Sequence, residues 1–401
     1  MTDIFRDEFK FIKNKNISLV LNYVRENGPI SRADIAEAIN LAPPTISRIT
    51  KKLIKEKFII QEGLGESSGG RPPVLLKLNP SAGYIIGVNL GPGILEVVLS
   101  DLEAEILVKK SKDMVKTDQD YVLENIIALI NDLINASEVD KDKLFGIGVA
   151  VHGLVNSEEG ISIFAPYYHW TEVAIKEILE KKLQIPVVVD NDVRAMALGE
   201  SWFGITKGID DFIMINVGNG IGSGIVINGE LHYGSNYSAG ELGHTVIDIN
   251  GPECECGNYG CLTSLASNPK IVERTKALIR RGVETEVYDL IEGNLANLTV
   301  GIICQAARNG DEMAQQILQE TGMYLGMGIS YLLNILDPKM IVVVGEVTKA
   351  KEYVFATIKN ILRNRALEIP VNNLKLKTSK LGINAATIGG ATLVLKEILD
   401  N

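Results

Sequence analysis

The chain has 401 residues, of which 46% are hydrophobic and 22% charged, so it is not an intrinsically disordered protein and has room for two or three globular domains. Its net charge of −10 argues against nucleic-acid binding over the whole surface, and four cysteines are too few for a secreted disulfide framework. The first residues, MTDIFRDEFK, contain no apolar run, and no later stretch is apolar enough for a membrane helix, so we expect a soluble cytoplasmic protein that binds no membrane.

Charge is distributed unevenly along the chain. Residues 1–80 carry 13 Lys and Arg against 9 Asp and Glu, a net charge of +4, whereas the other 321 residues carry 27 against 41, a net charge of −14. A basic segment on an acidic body is typical of a nucleic-acid-binding module joined to another domain. The alternative is an ordinary solvated surface that happens to be basic.

The basic segment opens with two predicted helices. Apolar residues recur at helical spacing over 17–24, and a Gly-Pro pair ends that helix. Ser31 is a good N-cap with Asp34 three residues later, which approximates a capping box and predicts a helix from Arg32 to about Ile39.

A third helix follows after a short turn. Pro43 and Pro44 fit only the first turn of a helix, so this helix begins there and runs to about Lys55. Two short helices joined by a tight turn form the helix-turn-helix pattern, whose second helix enters the major groove of DNA. Arg48 can pair bidentately with guanine, and the lysines of this helix would meet phosphates.

The segment FIIQEGLGESSGGRPPVLLKLNP predicts a β-hairpin wing, with strands at Phe58–Glu62 and Val74–Leu78 around a Gly/Ser-rich tip. Arg71 in that tip is placed to touch the DNA backbone or minor groove. Residues 1–80 are therefore predicted to be a winged helix-turn-helix domain; the alternative is a small helical protein-interaction module. The residues predicted to contact DNA are Ser31, Arg32, Pro44, Thr45, Ser47, Arg48, Lys51, Lys52 and Arg71.

Residues 81–401 predict an α/β fold, because strands alternate with helices. The segments AGYIIGVNLGPGILEVVLSDLEAEILVKK and DFIMINVGNGIGSGIVINGELHYG repeat one plan of strand, glycine-rich turn and strand. This duplication predicts two similar lobes with a cleft between them. Gly218, Gly220, Gly222 and Gly224 would let backbone N–H groups approach a phosphate, but tight turns use glycine without any ligand.

These motifs resemble the ROK proteins (repressors, open reading frames, kinases) over nearly the whole chain. The winged-helix segments and SSGGRPPVLLKLNP look like the repressor branch, and most of all its xylose-repressor-like members. FAPYYHW, VVVDNDVRAMALGE, GELGH and CECGNYGC look like the ROK sugar-binding domain. The resemblance implies a two-lobed, actin/sugar-kinase-like α/β domain over 81–401, and a transcriptional repressor, since the kinases lack the winged helix.

A Cys₃His set lies in the second half of the chain. His244, Cys254, Cys256 and Cys261 supply one imidazole and three thiolates, which suit tetrahedral zinc. Four protein ligands leave no position for a reactive water, so we predict one structural zinc ion per chain. The alternative is three free thiols in a loop. Cys304, in an apolar segment, is predicted to be a buried small hydrophobic residue.

The resemblance also implies the sugar ligands. Asn191, Asp192, Glu241 and His244 match the family's sugar-binding residues, with Asp192 as the base if the chain were a kinase. Two positions depart from the family pattern. Tyr167 stands where many members have Asn and could stack on a sugar face, and Thr263 stands where many have Glu, so we expect a ligand other than glucose, such as a pentose or a plant oligosaccharide.

The nucleotide half departs further from the kinases. The run VNLGPGIL places Asn89 at the position of an aspartate and Pro92 inside the loop, which weakens metal binding and removes one backbone donor. Asn219 replaces a threonine, and Glu346 adds repulsion toward phosphate. We therefore expect no enzymatic activity.

The sequence as a whole predicts a sugar-responsive repressor of carbohydrate-utilisation genes. It would bind a double-stranded, palindromic operator as a homodimer or dimer of dimers, and a small sugar effector would close the cleft and weaken operator binding. One alternative is an ATP-dependent ROK sugar kinase with a regulatory head. Another is a ligand-independent DNA-binding protein whose ROK domain only dimerises.

Overall fold

The computed structural model describes residue 12, residues 14–66 and residues 72–399. The described chain forms two compact units. The first contains residues of 1–195 and 386–401, and the second contains 196–385. Among the described helices, none is both long enough and apolar enough to cross a lipid bilayer.

The N-terminal part of the first unit is a winged helix-turn-helix, as predicted. The hydroxyl of Ser31 accepts a hydrogen bond from the amide of Asp34 at 3.3 Å and starts the second helix. The strands form an antiparallel sheet in the order β1-β3-β2. The tip of the wing, including Arg71, lies outside the described residues. The elements are α1 (Lys15–Asn27), β1 (Ile30–Ser31), α2 (Arg32–Ala38), α3 (Pro43–Lys55), β2 (Ile59–Leu64) and β3 (Val74–Leu78).

The rest of the first unit is built on a five-stranded sheet in the order β11-β7-β4-β5-β6. Strands β4, β5 and β6 are antiparallel neighbours, whereas β7 runs parallel to β4 and β11 parallel to β7. The elements are β4 (Tyr84–Gly91), β5 (Ile94–Ser100), β6 (Ile106–Asp113), α4 (Gln119–Ala136), β7 (Leu144–Val151), β8 (Leu154–Asn156), β9 (Ile161–Ala165), β10 (Trp170–Val173), α5 (Ile175–Leu183) and β11 (Val187–Asn191). Helix α6 (Asp192–Phe203) begins in the first unit and belongs to the second from Met196 onward.

The second unit repeats this plan with a sheet in the order β14-β13-β12-β15-β16. The elements are β12 (Phe212–Val217), β13 (Ile221–Ile227), β14 (Glu230–Leu231), α7 (Leu262–Ala266), α8 (Asn268–Arg280), α9 (Glu286–Leu290), α10 (Val300–Asn309), α11 (Glu312–Leu336), β15 (Met340–Val344), α12 (Lys351–Arg365), α13 (Glu368–Asn373) and β16 (Lys375–Thr378). Helix α14 (Ala385–Leu399) follows, and from Ala386 onward it belongs to the first unit.

The two sheets have the same topology: three antiparallel strands followed by two parallel ones. The predicted duplication is therefore confirmed. Helix α4 starts at Gln119, because the carboxylate of Asp118 accepts a hydrogen bond from the Tyr121 amide and caps the helix. Strand β7 is buried at every position, as expected for a central parallel strand.

Candidate DNA-binding, metal and sugar sites

Helix α3 separates an apolar face from a polar one. Its buried residues are Ile46, Ile49, Thr50 and Leu53, which face the core of the winged helix. The residues predicted to reach DNA lie on the other side: Pro44, Arg48, Lys51 and Lys52 are exposed, and Thr45 and Ser47 are half-buried. The helix can therefore present base-reading and phosphate-binding side chains together.

Two further predicted DNA contacts have a structural partner inside the domain. Ser31 is buried as the N-cap of α2. The Nε of Arg32 donates a 2.9 Å hydrogen bond to the hydroxyl of Thr50 on α3. Ser31 thus caps α2, and Arg32 links the start of α2 to α3.

The four predicted metal ligands come together in the second unit. One ligand atom from each of His244, Cys254, Cys256 and Cys261 lies within 4.8 Å of all the others. The Nδ1 of His244 is 3.6 Å from the Sγ of Cys254, and the sulfur atoms of Cys256 and Cys261 are 3.7 Å apart. This cluster can hold a metal ion.

Two glycines allow the loop to fold around the cluster. Gly257 and Gly260 have φ values of +88° and +68°, in the left-handed region that favours glycine. A Cβ atom at position 260 would lie only 1.5 Å from the carbonyl oxygen of Asp248, so no other residue fits there. Glycine at these two positions therefore lets the chain turn between the cysteines.

The three thiols of the cluster differ in acidity. Burial opposes ionisation of Cys256, but hydrogen bonds from Asn258 and the neighbouring thiols lower its pKa to about 7. Burial and the thiols around it raise the pKa of Cys261 to about 12. Both pKa shifts arise from protein groups. A bound cation would lower the pKa of every coordinating thiol, because it favours the thiolate.

The predicted sugar ligands of the second unit lie beside the cluster. The Nε2 of His244 is 3.9 Å from Oε2 of Glu241, and both side chains are exposed. The hydroxyl of Thr263 accepts a hydrogen bond from the amide of Ile221 at 3.2 Å and lies against Gly243. Thr263 therefore joins α7 to the start of β13, a role that sequence reasoning missed.

In the first unit, Asn191 and Asp192 lie where β11 ends and α6 begins. The side-chain oxygen of Asn191 accepts hydrogen bonds from the amides of Val193 and Arg194, and its NH₂ group donates to the carbonyl of Gly153 at 2.9 Å. Asn191 thus caps α6 and holds the loop that follows β7.

A buried ion pair supports this helix start. Arg194 and Asp190 are 2% and 1% exposed. Their closest atoms are 2.7 Å apart, and Arg194 also donates to the carbonyl of Val155 at 2.8 Å. The sequence analysis did not predict this pair. The spacing of four residues between Asp190 and Arg194 could have indicated it.

Polar and charged side chains are bonded to one another beside the glycine-rich turn between β4 and β5. The side-chain nitrogen of Asn89 donates a 3.0 Å hydrogen bond to Glu96, whose other oxygen lies 2.8 Å from the ammonium of Lys109. An aspartate at position 89 would place two carboxylates against each other. Asn89 is therefore a hydrogen-bond donor to Glu96, and it supplies no carboxylate to a metal ion at this position.

Aromatic side chains cover the same turn. The hydroxyl of Tyr168 donates a 2.8 Å hydrogen bond to the carbonyl of Gly91. The hydroxyl of Tyr167 lies 3.0 Å from the point where Gly93 would carry a Cβ atom. His152 packs against both rings, at centroid distances of 6.2 and 5.3 Å, and burial lowers its pKa to about 4.

The corresponding turns of the second unit differ again from a phosphate-binding loop. Gly222 and Gly224 lie within β13 rather than in its turn. Glu346 follows β15 and pairs with Lys349 at 2.8 Å. Cys304 is fully buried, as predicted, and burial raises the pKa of its thiol to about 12.

Comparison with known proteins gives two matching families. The ROK family profile matches residues 85–397, and a winged helix-turn-helix DNA-binding profile matches residues 13–60. The chain is 33% identical to the xylose repressor of Caldicellulosiruptor bescii, over 97% of both proteins. It is 30% identical to the DNA-binding transcriptional dual regulator NagC of Escherichia coli, over 97% of this chain and 94% of NagC. A crystal structure of a ROK family transcriptional regulator, a homologue of the E. coli MLC protein, superposes with a TM-score of 0.85 at 34% identity over 97% of both chains.

Proposed function

The chain belongs to the ROK family, and we propose that it is a sugar-responsive DNA-binding repressor of carbohydrate-utilisation genes rather than an enzyme. The observation that carries this proposal is the presence of a winged helix-turn-helix on the same chain as the ROK domain. Relatives named as a xylose repressor and as a DNA-binding transcriptional dual regulator match across that whole arrangement. We place the boundary between the DNA-binding domain and the sugar-binding domain at residue 80.

For DNA, we propose that α3 enters the major groove of the operator. Pro44, Thr45, Ser47 and Arg48 would face the base edges, because they occupy the N-terminal half of that helix. Lys51 and Lys52 would bind phosphates. Ser31 and Arg32 would contact the DNA backbone at the start of α2, and Arg71 would touch the DNA backbone or minor groove. The partner is double-stranded DNA.

For the effector, we propose sugar-binding residues in the first unit and others in the second. Asn191, Asp192 and Tyr167 act in the first unit, with the carboxylate of Asp192 accepting from sugar hydroxyls and the exposed ring of Tyr167 stacking on a sugar face. In the second unit the proposed ligands are Glu241 and His244. Thr263 would set the size of the sugar that fits, since it is shorter than glutamate.

For the metal cluster, we propose one structural zinc ion per chain, held by His244, Cys254, Cys256 and Cys261. The support is the donor set, because three thiolates and one imidazole suit zinc and fill four positions. Zinc would supply folding free energy and no chemistry. Nδ1 of His244 would bind the ion. Nε2 would then face Glu241 and be available to a sugar hydroxyl.

The proposed assembly is a homodimer or a dimer of dimers that acts in the cytoplasm. A two-fold symmetric pair of winged helices matches a palindromic operator. Sugar binding would lower operator affinity if the sugar binds the DNA-free state more tightly, since coupling between two ligands is reciprocal.

The main alternative, a sugar kinase, is disfavoured by the first glycine-rich turn. Phosphoryl transfer needs magnesium and a cradle of donors around the phosphates. Here Asn89 is bonded to Glu96, Pro92 has no N–H, and the Tyr167 hydroxyl lies over Gly93. These features favour a regulator that kept the fold without the reaction.

The proposal is tested by titrating the full-length protein with xylose, N-acetylglucosamine, glucose and disaccharides in a calorimeter. Each sugar that binds is then added to a DNA complex formed on a duplex selected from a random library. At least one sugar should bind and shift the apparent affinity for that duplex. A protein that selects DNA but responds to no sugar would instead be a ligand-independent DNA-binding protein.

A further inference from the structure

His152 directly follows β7, the buried central strand of the first unit. Strand β7 runs parallel to both β4 and β11, and its last residue, Val151, is in register with Leu90 of β4 and Asn191 of β11. The carboxyl ends of these three strands therefore meet at one edge of the sheet, which is where open α/β sheets bind their ligands. His152 lies at the middle strand of that edge.

A proposed sugar ligand is bonded to the residue that follows His152. The NH₂ group of Asn191 donates to the carbonyl of Gly153 at 2.9 Å and to the carboxylate of Asp192 at 3.0 Å. One side chain thus joins the loop that carries His152 to the helix start that carries the two proposed ligands. A sugar bound by Asn191 and Asp192 would therefore lie next to the end of β7.

The imidazole of His152 is buried without a hydrogen-bond partner. Among the described residues, none pairs with either of its ring nitrogens. Burial lowers the pKa of His152 to about 4, so the ring is neutral near pH 7. A neutral imidazole has one N–H donor and one nitrogen that accepts, and leaving such groups unpaired destabilises a folded protein. A hydroxyl, which both donates and accepts, can pair with either nitrogen.

Two tyrosines pack on the ring of His152, and they differ in how firmly they are held. Tyr168 is buried, and its hydroxyl donates to the carbonyl of Gly91. Tyr167 is 41% exposed and lies nearly edge-on to His152, with its hydroxyl over Gly93. Exposed side chains change rotamer within nanoseconds, so Tyr167 is the ring that a ligand would displace.

We propose that His152 is a further sugar-binding residue of the first unit, which makes a hydrogen bond with one hydroxyl of the sugar once Tyr167 has rotated away from it. This inference rests on the proposed function and adds a residue that selects the sugar. A site whose buried groups are placed for a hydroxyl rejects an analogue that lacks it, because those groups then have no partner. His152 therefore selects sugars that carry a hydroxyl at one particular ring position.

The test combines His152→Phe, which keeps a ring but removes both nitrogens, with sugars that lack single hydroxyls. The probes are xylose, glucose, N-acetylglucosamine and disaccharides, each beside its monodeoxy analogues, titrated in a calorimeter into the full-length protein. In the wild-type protein, loss of one particular hydroxyl should weaken binding by about thirtyfold. His152→Phe should weaken binding of the parent sugar by a similar factor, and loss of the same hydroxyl should then weaken it further by less than about threefold.

Two further variants serve as controls. His169→Asn changes an exposed histidine of the neighbouring segment and should bind every probe as the wild-type protein does. If the melting curve shows that His152→Phe does not fold, His152→Leu removes the same nitrogens with a smaller side chain and should give the same pattern.

If His152→Phe weakens binding of the parent sugar and of all its analogues by one common factor, His152 only shapes the aromatic cluster, and the proposal is overturned. Unchanged binding in this variant overturns it too, because a ring that pairs only with water gives no dependence on a sugar hydroxyl. In both cases the wild-type protein still binds sugar, so the proposed function stands. A wild-type protein that binds none of the probes would contradict this proposal and the sugar response together.

Discussion

The Nδ1 atom of His244 lies 3.6 Å from the sulfur of Cys254, while Nε2 of the same ring lies 3.9 Å from a carboxylate oxygen of Glu241. One imidazole therefore has a thiol on one side and a carboxylate on the other. This arrangement links the metal cluster to a proposed sugar ligand through a single side chain. Loss of metal should then affect sugar binding as well as stability.

The first prediction concerns metal content. The purified protein should contain about one zinc ion per chain, and Cys256→Ser should reduce this below about a tenth, because three remaining ligands hold zinc far less tightly. Elemental analysis measures the content, and a thermal melt should show the accompanying loss of stability. Cys304→Ala, which removes a buried thiol outside the cluster, should retain full zinc. Active wild-type protein without zinc would refute the assignment.

Local signals in the sequence were enough to predict much of the fold. Ser31 and Pro43 mark helix starts because capping and the geometry of proline act within a few residues. The cysteine spacing likewise predicted the cluster. The contact of Tyr167 with Gly93 and the bond from Tyr168 to Gly91 were not predictable, because each joins residues more than 70 positions apart in the sequence.

The second prediction separates two kinds of DNA contact on α3. Arg48→Ala should weaken binding by about 1–3 kcal/mol and relax the preference at one base pair, as expected for a side chain that reads guanine. Lys51→Ala should weaken binding to all sequences alike and reduce the slope of log affinity against log salt by about one. Anisotropy titrations at several salt concentrations measure both. Lys141→Ala, an exposed lysine outside the winged helix, should change neither quantity.

The third prediction is the absence of phosphoryl transfer. A coupled assay with ATP, magnesium and each sugar that binds should show no turnover. Tyr167→Ala should not restore it, because Asn89 and Pro92 still lack the metal ligand and the backbone donor. Turnover on the order of once per second in the wild-type protein would contradict this expectation.

The fourth prediction tests the ion pair behind the proposed sugar ligands. Arg194→Leu should lower the free energy of unfolding of the first unit by about 3–5 kcal/mol, because it leaves Asp190 buried without its cation. It should also weaken sugar binding, since Asn191 and Asp192 begin the helix that this pair holds. Denaturant unfolding and calorimetry measure the two effects. Glu177→Gln, an exposed change on α5, should leave both unaltered.

The last prediction concerns the pH dependence of stability. Burial among Tyr167 and Tyr168 lowers the pKa of His152 from 6.5 to about 4, although the carbonyl of Leu90 opposes this shift. Between these two values the unfolded chain binds a proton that the folded protein does not. Stability is therefore lost as the pH falls from about 6.5 toward 4, and His152 accounts for up to about 2 kcal/mol of that loss at pH 5.

His152→Phe removes this group while keeping a ring in the aromatic cluster. The fall in melting temperature between pH 7.5 and pH 5 should be smaller in the variant than in the wild-type protein. Protonation of the metal ligands affects both proteins alike, so the difference between them isolates His152. His169→Asn replaces an exposed histidine and keeps a residue that tolerates its positive φ of 54°, so its pH dependence should match the wild type. If the melting temperature falls equally in His152→Phe and in the wild-type protein, His152 is not buried in its neutral form.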